Sequence, residues 1–198
     1  MARDPFYIAP SDSASKRRIL QEGLRLFAKH GMSATSIRDI AAATGYSNPA
    51  LYKHFKTKDE LAVRLFELCY AELLNRMTLA VQDSDEFETR FSSYISAFSL
   101  FFDEYPDAAL FTLDNLATLW PQVSARFRGR TIVTLTRELL DLGRREGLVS
   151  ADEREALQLV VVTGTLVQMV RQLYLGALSG PAVAHAEEID RILRTALA

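Results

Sequence analysis

Apolar residues along this 198-residue chain recur at spacings of three and four, and no segment alternates with period two over several residues. Strands need that alternation; helices need the other spacing. The chain is therefore expected to be all-α. Ile19, Leu20, Gly23, Leu24, Leu26 and Phe27 fall on one side of a first helix, capped by Ser13 or Ser15 and ended by Gly31. Two short helices follow. Thr35 or Ser36 caps the first, with Ile37, Ile40 and Ala41 inward, and Gly45 closes it because a C-cap favours positive φ. Ser47 caps the next, predicted over 48–55. Pro49 sits in its first turn, where a missing N–H costs nothing, and Leu51 and Phe55 face inward. Thr57 then opens a fourth helix, with Glu60 completing a capping box.

From residue 58 the helices lengthen. Spacing predicts them over 58–81, 86–104, 107–119, 122–146, 152–176 and 185–197, about nine in all. Phe87, Phe91, Tyr94, Phe98 and Phe101 form one stripe of the fifth, and Pro106 is expected to break it. This shift divides the chain into a flexible arm (1–12, with Pro5 and Pro10), a three-helix segment (13–57) and a larger helical body (58–198). Arg3 in the arm is a candidate for a minor-groove contact.

Charge follows the same division. The net charge of −2 is the balance of +4 over residues 1–60 and −6 over the rest, and all five lysines lie in the first part. A basic end on an acidic body points to a polyanionic partner. No signal-peptide core precedes the first helix. The most apolar stretch, 157–170, is interrupted by Gln158, Thr163, Gly164, Thr165 and Gln168, short of the ~18 unbroken apolar residues of a membrane span. A cytoplasmic location is expected. Cys69 is the only cysteine, so neither an intrachain disulfide nor a thiolate cluster can form; it is expected to be buried and inert.

The stretch TSIRDIAAATGYSNPALYKHFKTKDE, residues 35–60, carries the function. Short helix, glycine turn and short helix make a helix-turn-helix, whose second helix presents its N-terminal residues to base edges in the major groove. Thr35, Ile40-Ala41, Gly45-Tyr46-Ser47, Leu51-Tyr52-Lys53-His54-Phe55 and Thr57-Lys58-Asp59-Glu60-Leu61 resemble, in order, the DNA-binding domain of the TetR/AcrR family of bacterial regulators. The resemblance covers about residues 14–62. Beyond them it implies only an all-helical ligand-binding and dimerisation domain.

Carried over residue by residue, the resemblance implies a DNA-binding set. Thr35 and Ser36 sit where a hydroxyl and a helix N-terminus would hold a phosphate, or simply cap. Ser47, Asn48, Pro49 and Ala50 lead the recognition helix. Tyr52 matches the family's phosphate-contacting tyrosine and Lys58 its phosphate-gripping lysine, while Lys53 and His54 are expected to face outward toward phosphates. Leu51, Phe55, Ile37, Ile40 and Phe27 hold the recognition helix at its angle.

The body is less specific. The helices at about 152–176 and 185–197 carry apolar faces, and Gly164 permits close approach. Two from each subunit would pair into the four-helix interface the resemblance implies. Such a homodimer spaces two recognition helices by one DNA turn (~34–36 Å), matching a palindromic operator. Phe66, Tyr70, Tyr94, Phe98, Phe111, Asn115, Trp120 and Gln168 are candidates for a pocket taking a small, largely apolar effector, the aromatic ones being equally good as plain core. The expected mode is repression, relieved by that ligand. No metal or cofactor is expected, and no catalytic motif is present: His30, His54 and His185 are scattered, without His-Glu-x-x-His or Gly-x-Ser-x-Gly. A helical protein-interaction module is the alternative, and an all-helical enzyme a more distant one.

Overall fold

The computed structural model describes residues 5–151 and 155–198; Arg3 and the expected helix start at residue 152 lie outside them. Among the described residues all regular structure is helical: α1 (Ala14–His30), α2 (Ile37–Thr44), α3 (Asn48–Tyr52), α4 (Lys58–Ala80), α5 (Phe87–Glu104), α6 (Pro106–Leu119), α7 (Ile132–Arg145), α8 (Glu155–Tyr174) and α9 (Ala186–Leu197), with 3-10 turns at Trp120–Gln122, Ala125–Phe127 and Ala182–His185. The chain packs as two compact units. One holds the described residues up to Glu72 together with Asp107–Ala125; the other holds Leu73–Pro106 and Arg126–Ala198. The division falls inside α4 and gives α6 to the N-terminal helices, a grouping that residue spacing does not announce.

In the first unit Ile19, Leu20, Leu24, Phe27, Ile40, Leu51, Phe66 and Phe111 are almost fully buried. Phe27 stacks on Phe111 with centroids 5.6 Å apart. Gly23 brings α1 close to α4: a Cβ there would lie 3.1 Å from Leu61 Cδ2. Cys69 is buried, and burial pushes its thiol far above the ordinary range despite a hydrogen bond with Thr112. Residues 5–12, expected as a free arm, are tied down instead. Ile8 is buried, and Arg17 donates to the carbonyls of Asp12 (2.9 Å) and Pro10 (2.9 Å).

In the second unit α5 packs against α7, α8 and α9. Phe87, Phe91, Tyr94 and Phe101 are buried along it, and the Tyr94 hydroxyl bonds Thr136 Oγ1 at 2.7 Å. Gly143 is required: a Cβ there would come within 2.5 Å of Val149 and 2.9 Å of Phe87. The Asp103 carboxylate accepts the N–H groups of Ala182 (2.7 Å) and Val183 (2.9 Å), fixing the turn that leads into α9.

Three expectations change. Pro106 opens α6 rather than merely breaking α5, since the first helical position needs no N–H. The seventh helix begins at Ile132, ten residues later than predicted; Thr131 and Thr134 form a reciprocal cap there, while the 3-10 turns occupy part of the span before it. The third helix stops at Tyr52, and the N–H groups of His54 and Phe55 close a turn on the Leu51 carbonyl at 2.9 and 3.0 Å. In addition, α8 is long and apolar enough to cross a membrane by length and composition, its Gln and Thr interruptions notwithstanding, and 28% of that stretch is buried. Its packed side carries Gln158, Val162, Leu166, Met169 and Val170; Leu157, Val160 and Val161 are exposed.

Candidate nucleic-acid interface

The geometry of α2 and α3 starts from their ends. Ser36 accepts the Asp39 N–H at 3.2 Å while the Asp39 carboxylate accepts the Ser36 N–H at 2.7 Å and its hydroxyl at 2.6 Å. These bonds hold the Asp39 carboxyl below its usual range. Gly45 takes the left-handed conformation (φ 74°) that turns the chain toward α3. Leu51 and Phe55 then bury beneath α3, which packs on α1 and α2. Helical geometry places Pro49, Tyr52 and Lys53 on the opposite face, and all three are exposed, Tyr52 by 51%.

The ten predicted DNA-contact residues separate on this frame. Ser36, Ser47, Pro49, Tyr52 and Lys53 are exposed, and Asn48 and Ala50 half-exposed. Ser47 caps α3 without a side-chain hydrogen bond, leaving its hydroxyl uncommitted. Thr35 is buried and donates to the carbonyls of Gly31 (2.9 Å) and Leu26 (3.3 Å), so its hydroxyl secures the end of α1. His54 is half-buried and bonds Ser15 Oγ through Nε2 at 2.7 Å. Lys58 donates to the Met32 carbonyl at 2.8 Å, which anchors the start of α4 and leaves two ammonium protons. Thr57 caps α4 by accepting the Glu60 N–H at 3.0 Å.

Sequence reasoning passed over two further cations. Arg38 and Lys56 are exposed and, like Lys53, make no ion pair among the described residues. The signal was available: Arg38 lies on α2 across the helix from the buried Ile40, and Lys56 sits in the turn after Phe55. By contrast Lys16 is paired with Asp12 at 2.6 Å. Burial opposes the charge on Asp12, but Lys16, the Ala9 N–H and Arg17 outweigh it and hold the carboxyl below its ordinary range.

The predicted effector residues fall in both units. In the first, Phe66 stacks on Tyr70 (5.8 Å) and Tyr70 meets Trp120 (5.1 Å); Phe66, Tyr70 and Phe111 are buried. Asn115 donates to the Phe111 carbonyl at 2.8 Å, a bond within its own helix. In the second unit Tyr94 and Phe98 are buried on α5. Gln168 is exposed and lines a groove of about 500 Å³ with Val160, Val161, Gly164, Leu178 and Ile189. Another groove of about 500 Å³ belongs to the first unit, lined by Lys16, His54, Phe55, Arg64, Glu67 and Gln122 among others. Among the described residues no group of three His, Cys, Asp or Glu side chains converges as a metal site would need.

Residues 19–65 match the family model described as bacterial regulatory proteins, tetR family. The chain is 40% identical over 68 residues to the HTH-type transcriptional regulator YerO of Bacillus subtilis, covering 34% of this chain and 24% of that one. It therefore spans about a quarter of that relative's length. The ketosteroid transcriptional regulator KstR2 of Mycobacterium tuberculosis superposes with a TM-score of 0.79 at 22% identity, over 94% of this chain and 97% of that one. FadR of Bacillus subtilis, solved with stearoyl-CoA, superposes with a TM-score of 0.71 at 15% identity, over 91% and 98%. At these identities the two solved structures speak to the fold.

Proposed function

Since its helix-turn-helix makes this chain a member of the TetR/AcrR family, we propose that it is a sequence-specific, DNA-binding transcription regulator, working as a homodimer on a palindromic operator. The observation that carries this is the exposed face of α3 beside cations that no carboxylate neutralises among the described residues. Ser47, Asn48, Pro49 and Ala50 read base edges; Tyr52, Lys53, Arg38, Lys56 and the free protons of Lys58 hold phosphates. Ser36 offers the N-terminus of α2 to a phosphate, where unpaired N–H groups favour an anion. Phosphate contacts set register, and base contacts set sequence preference. Thr35 supports this surface from beneath.

The homodimer forms through α8 and α9. Leu157, Val160, Val161 and Ile192 leave apolar surface facing water, and Gly164 has nothing within 4 Å of where a Cβ would stand, so a partner helix can lie close. Contiguous apolar surface of this kind marks an interaction site. The regulator responds to a small, largely apolar effector. The aromatic groups around Phe66, Tyr70 and Trp120, and around Tyr94 and Phe98, are the places to look for it; of the stearoyl-CoA on the FadR neighbour, the acyl chain is of that apolar chemistry and the coenzyme A headgroup is not. Effector and DNA then oppose one another by the same coupling free energy, ~1–3 kcal/mol, and repression is relieved when the effector binds.

Selection of bound duplexes from a random pool at two salt concentrations tests the proposal. An enriched palindrome, lost as salt rises, is expected, because phosphate neutralisation makes affinity fall steeply with salt. Salt-independent binding to protein partners, with no enriched duplex, would favour the interaction-module alternative.

A further inference from the structure

We propose that His54 is a positioning residue: its imidazole fixes the recognition helix against the start of α1 instead of touching DNA. The inference rests on the DNA-binding reading above. Five helical residues are far below the ~12–15 at which an isolated helix becomes even marginal, so α3 depends on tertiary contacts for its existence and its angle. Its N-terminal end offers little, since Ser47 forms no side-chain cap bond. Leu51 and Phe55 anchor it by burial. Two apolar side chains on one stripe resist lifting of the helix but define its roll poorly, because apolar contact has no direction.

The imidazole supplies the direction. His54 Nε2 stands 2.7 Å from Ser15 Oγ, across 39 residues of sequence. Ser15 Oγ is 3.2 Å from Ser13 Oγ, and Ser13 is the cap of α1, accepting the Lys16 N–H at 3.3 Å. The first turn of α1 is itself held: Asp12 accepts the Lys16 ammonium (2.6 Å) and the Ala9 N–H (2.8 Å), and Arg17 grips the Asp12 and Pro10 carbonyls. A polar chain thus runs from the end of the recognition helix to a braced segment of backbone. His54 sits in the turn after α3, where its N–H bonds the carbonyl of the buried Leu51 at 2.9 Å; its ring is half-buried and lines the groove shared with Lys16 and Arg64. A hydroxyl suits either state of the ring, accepting from a protonated nitrogen or donating to a bare one.

The test compares wild type, His54→Ala, Ser15→Ala, the double variant and Lys53→Ala, with the duplex enriched from the random pool as probe and salt varied. His54→Ala and Ser15→Ala are each expected to weaken binding about tenfold, with the double variant no worse than either, as for two residues acting through one contact. Neither should change the slope of log affinity against log salt, whereas Lys53→Ala should flatten it by about 0.9, the loss of one phosphate contact. His54→Gln, whose amide can still reach Ser15, should recover most of the affinity. A slope flattened by His54→Ala as by Lys53→Ala, with Ser15→Ala silent, overturns the proposal and makes His54 a phosphate contact. Additive losses overturn it too. Should His54→Ala unfold, Ser15→Ala and its rescue by Ser15→Thr decide the matter alone. A wild type that enriches no duplex removes the DNA-binding reading itself and the positioning role with it, a result distinct from every variant effect.

Discussion

The helix-turn-helix and the C-terminal helices are built on opposite economies of information. α2 and α3 together have thirteen residues, and their ends are written in single side chains: Ser36 with Asp39, Gly45, Ser47. The later helices run to 20 residues in α8, and what matters about them is which face meets which neighbour. Local chemistry specifies the first region, and long-range packing specifies the second. A surface that must present the same groups to every DNA molecule gains from rigid local definition. On the reading proposed above the body accommodates a partner and an effector, and it is defined by packing between segments distant in sequence.

Substitutions can break this contrast or sharpen it. The largest effect is expected from Val160→Glu on α8. A carboxylate buried without a partner costs several kcal/mol, about 3 or more, so the protein should sediment as a monomer and lose operator affinity although α3 is untouched; a stable dimer would move the interface elsewhere. Gly143→Ala comes next. Its Cβ would collide with Val149 and Phe87, and overpacking of this kind costs about 1–3 kcal/mol, read as a lower denaturation midpoint. Gly23→Ala in the first unit meets only the mobile end of Leu61 at 3.1 Å, and the ~1 kcal/mol gain in helix propensity should leave its midpoint near wild type; equal losses at both glycines would erase the distinction between the units. Tyr52→Ala should fold normally, its ring being 51% exposed, yet weaken operator binding about tenfold, the worth of one hydrogen bond to a charged group. Undiminished binding in a gel-shift assay would remove Tyr52 from the interface.

The smallest effect is expected at Asp190. Burial raises its carboxyl above the ordinary range, Arg194 opposes that shift, and Glu88 and Glu187 add to it. Its Oδ1 and the Nε of Arg194 are buried without hydrogen bonds. A raised folded-state value means that the protonated form is the better-tolerated one, so Asp190 stabilises least at neutral pH and loses that handicap as pH falls toward the usual carboxylate range. Asp190→Asn should therefore lose little at neutral pH, where the ionised carboxylate is already disfavoured, with wild type gaining on the variant as pH drops. A gap moving the other way in paired unfolding curves would show that the Arg194 ion pair governs the site.

What could be read directly from sequence follows the same contrast. Ser36, Gly45 and the Thr57–Glu60 pair announce helix ends because each acts within three or four residues of itself. Thr131 does so less audibly: its partner is Thr134 rather than Glu or Gln, and spacing places the start of α7 ten residues early. The bond from His54 to Ser15 is invisible to any window of helical length, and the resemblance implies an outward-facing His54. Thr35 likewise carries no mark that its hydroxyl would turn to Gly31 and Leu26. For Phe66, Tyr70 and Trp120 the difference between cavity and core is a matter of the space left between rings, which residue type does not encode. The excess of positive charge over residues 1–60 was legible, but only the fold separates braced Lys16 from uncompensated Arg38, Lys53 and Lys56.

The exposed stripe of α8 has a consequence for dosage. If that stripe is the seam between two copies, dilution dissociates the pair and leaves each protomer less stable, because the lone protomer must hold Leu157, Val160 and Val161 against water. Mass action then ties the melting point to protein concentration. A cell holding a few copies of such a regulator would keep it near the edge of its own persistence, so that the abundance of the protein sets how long each molecule survives as well as how much operator is occupied.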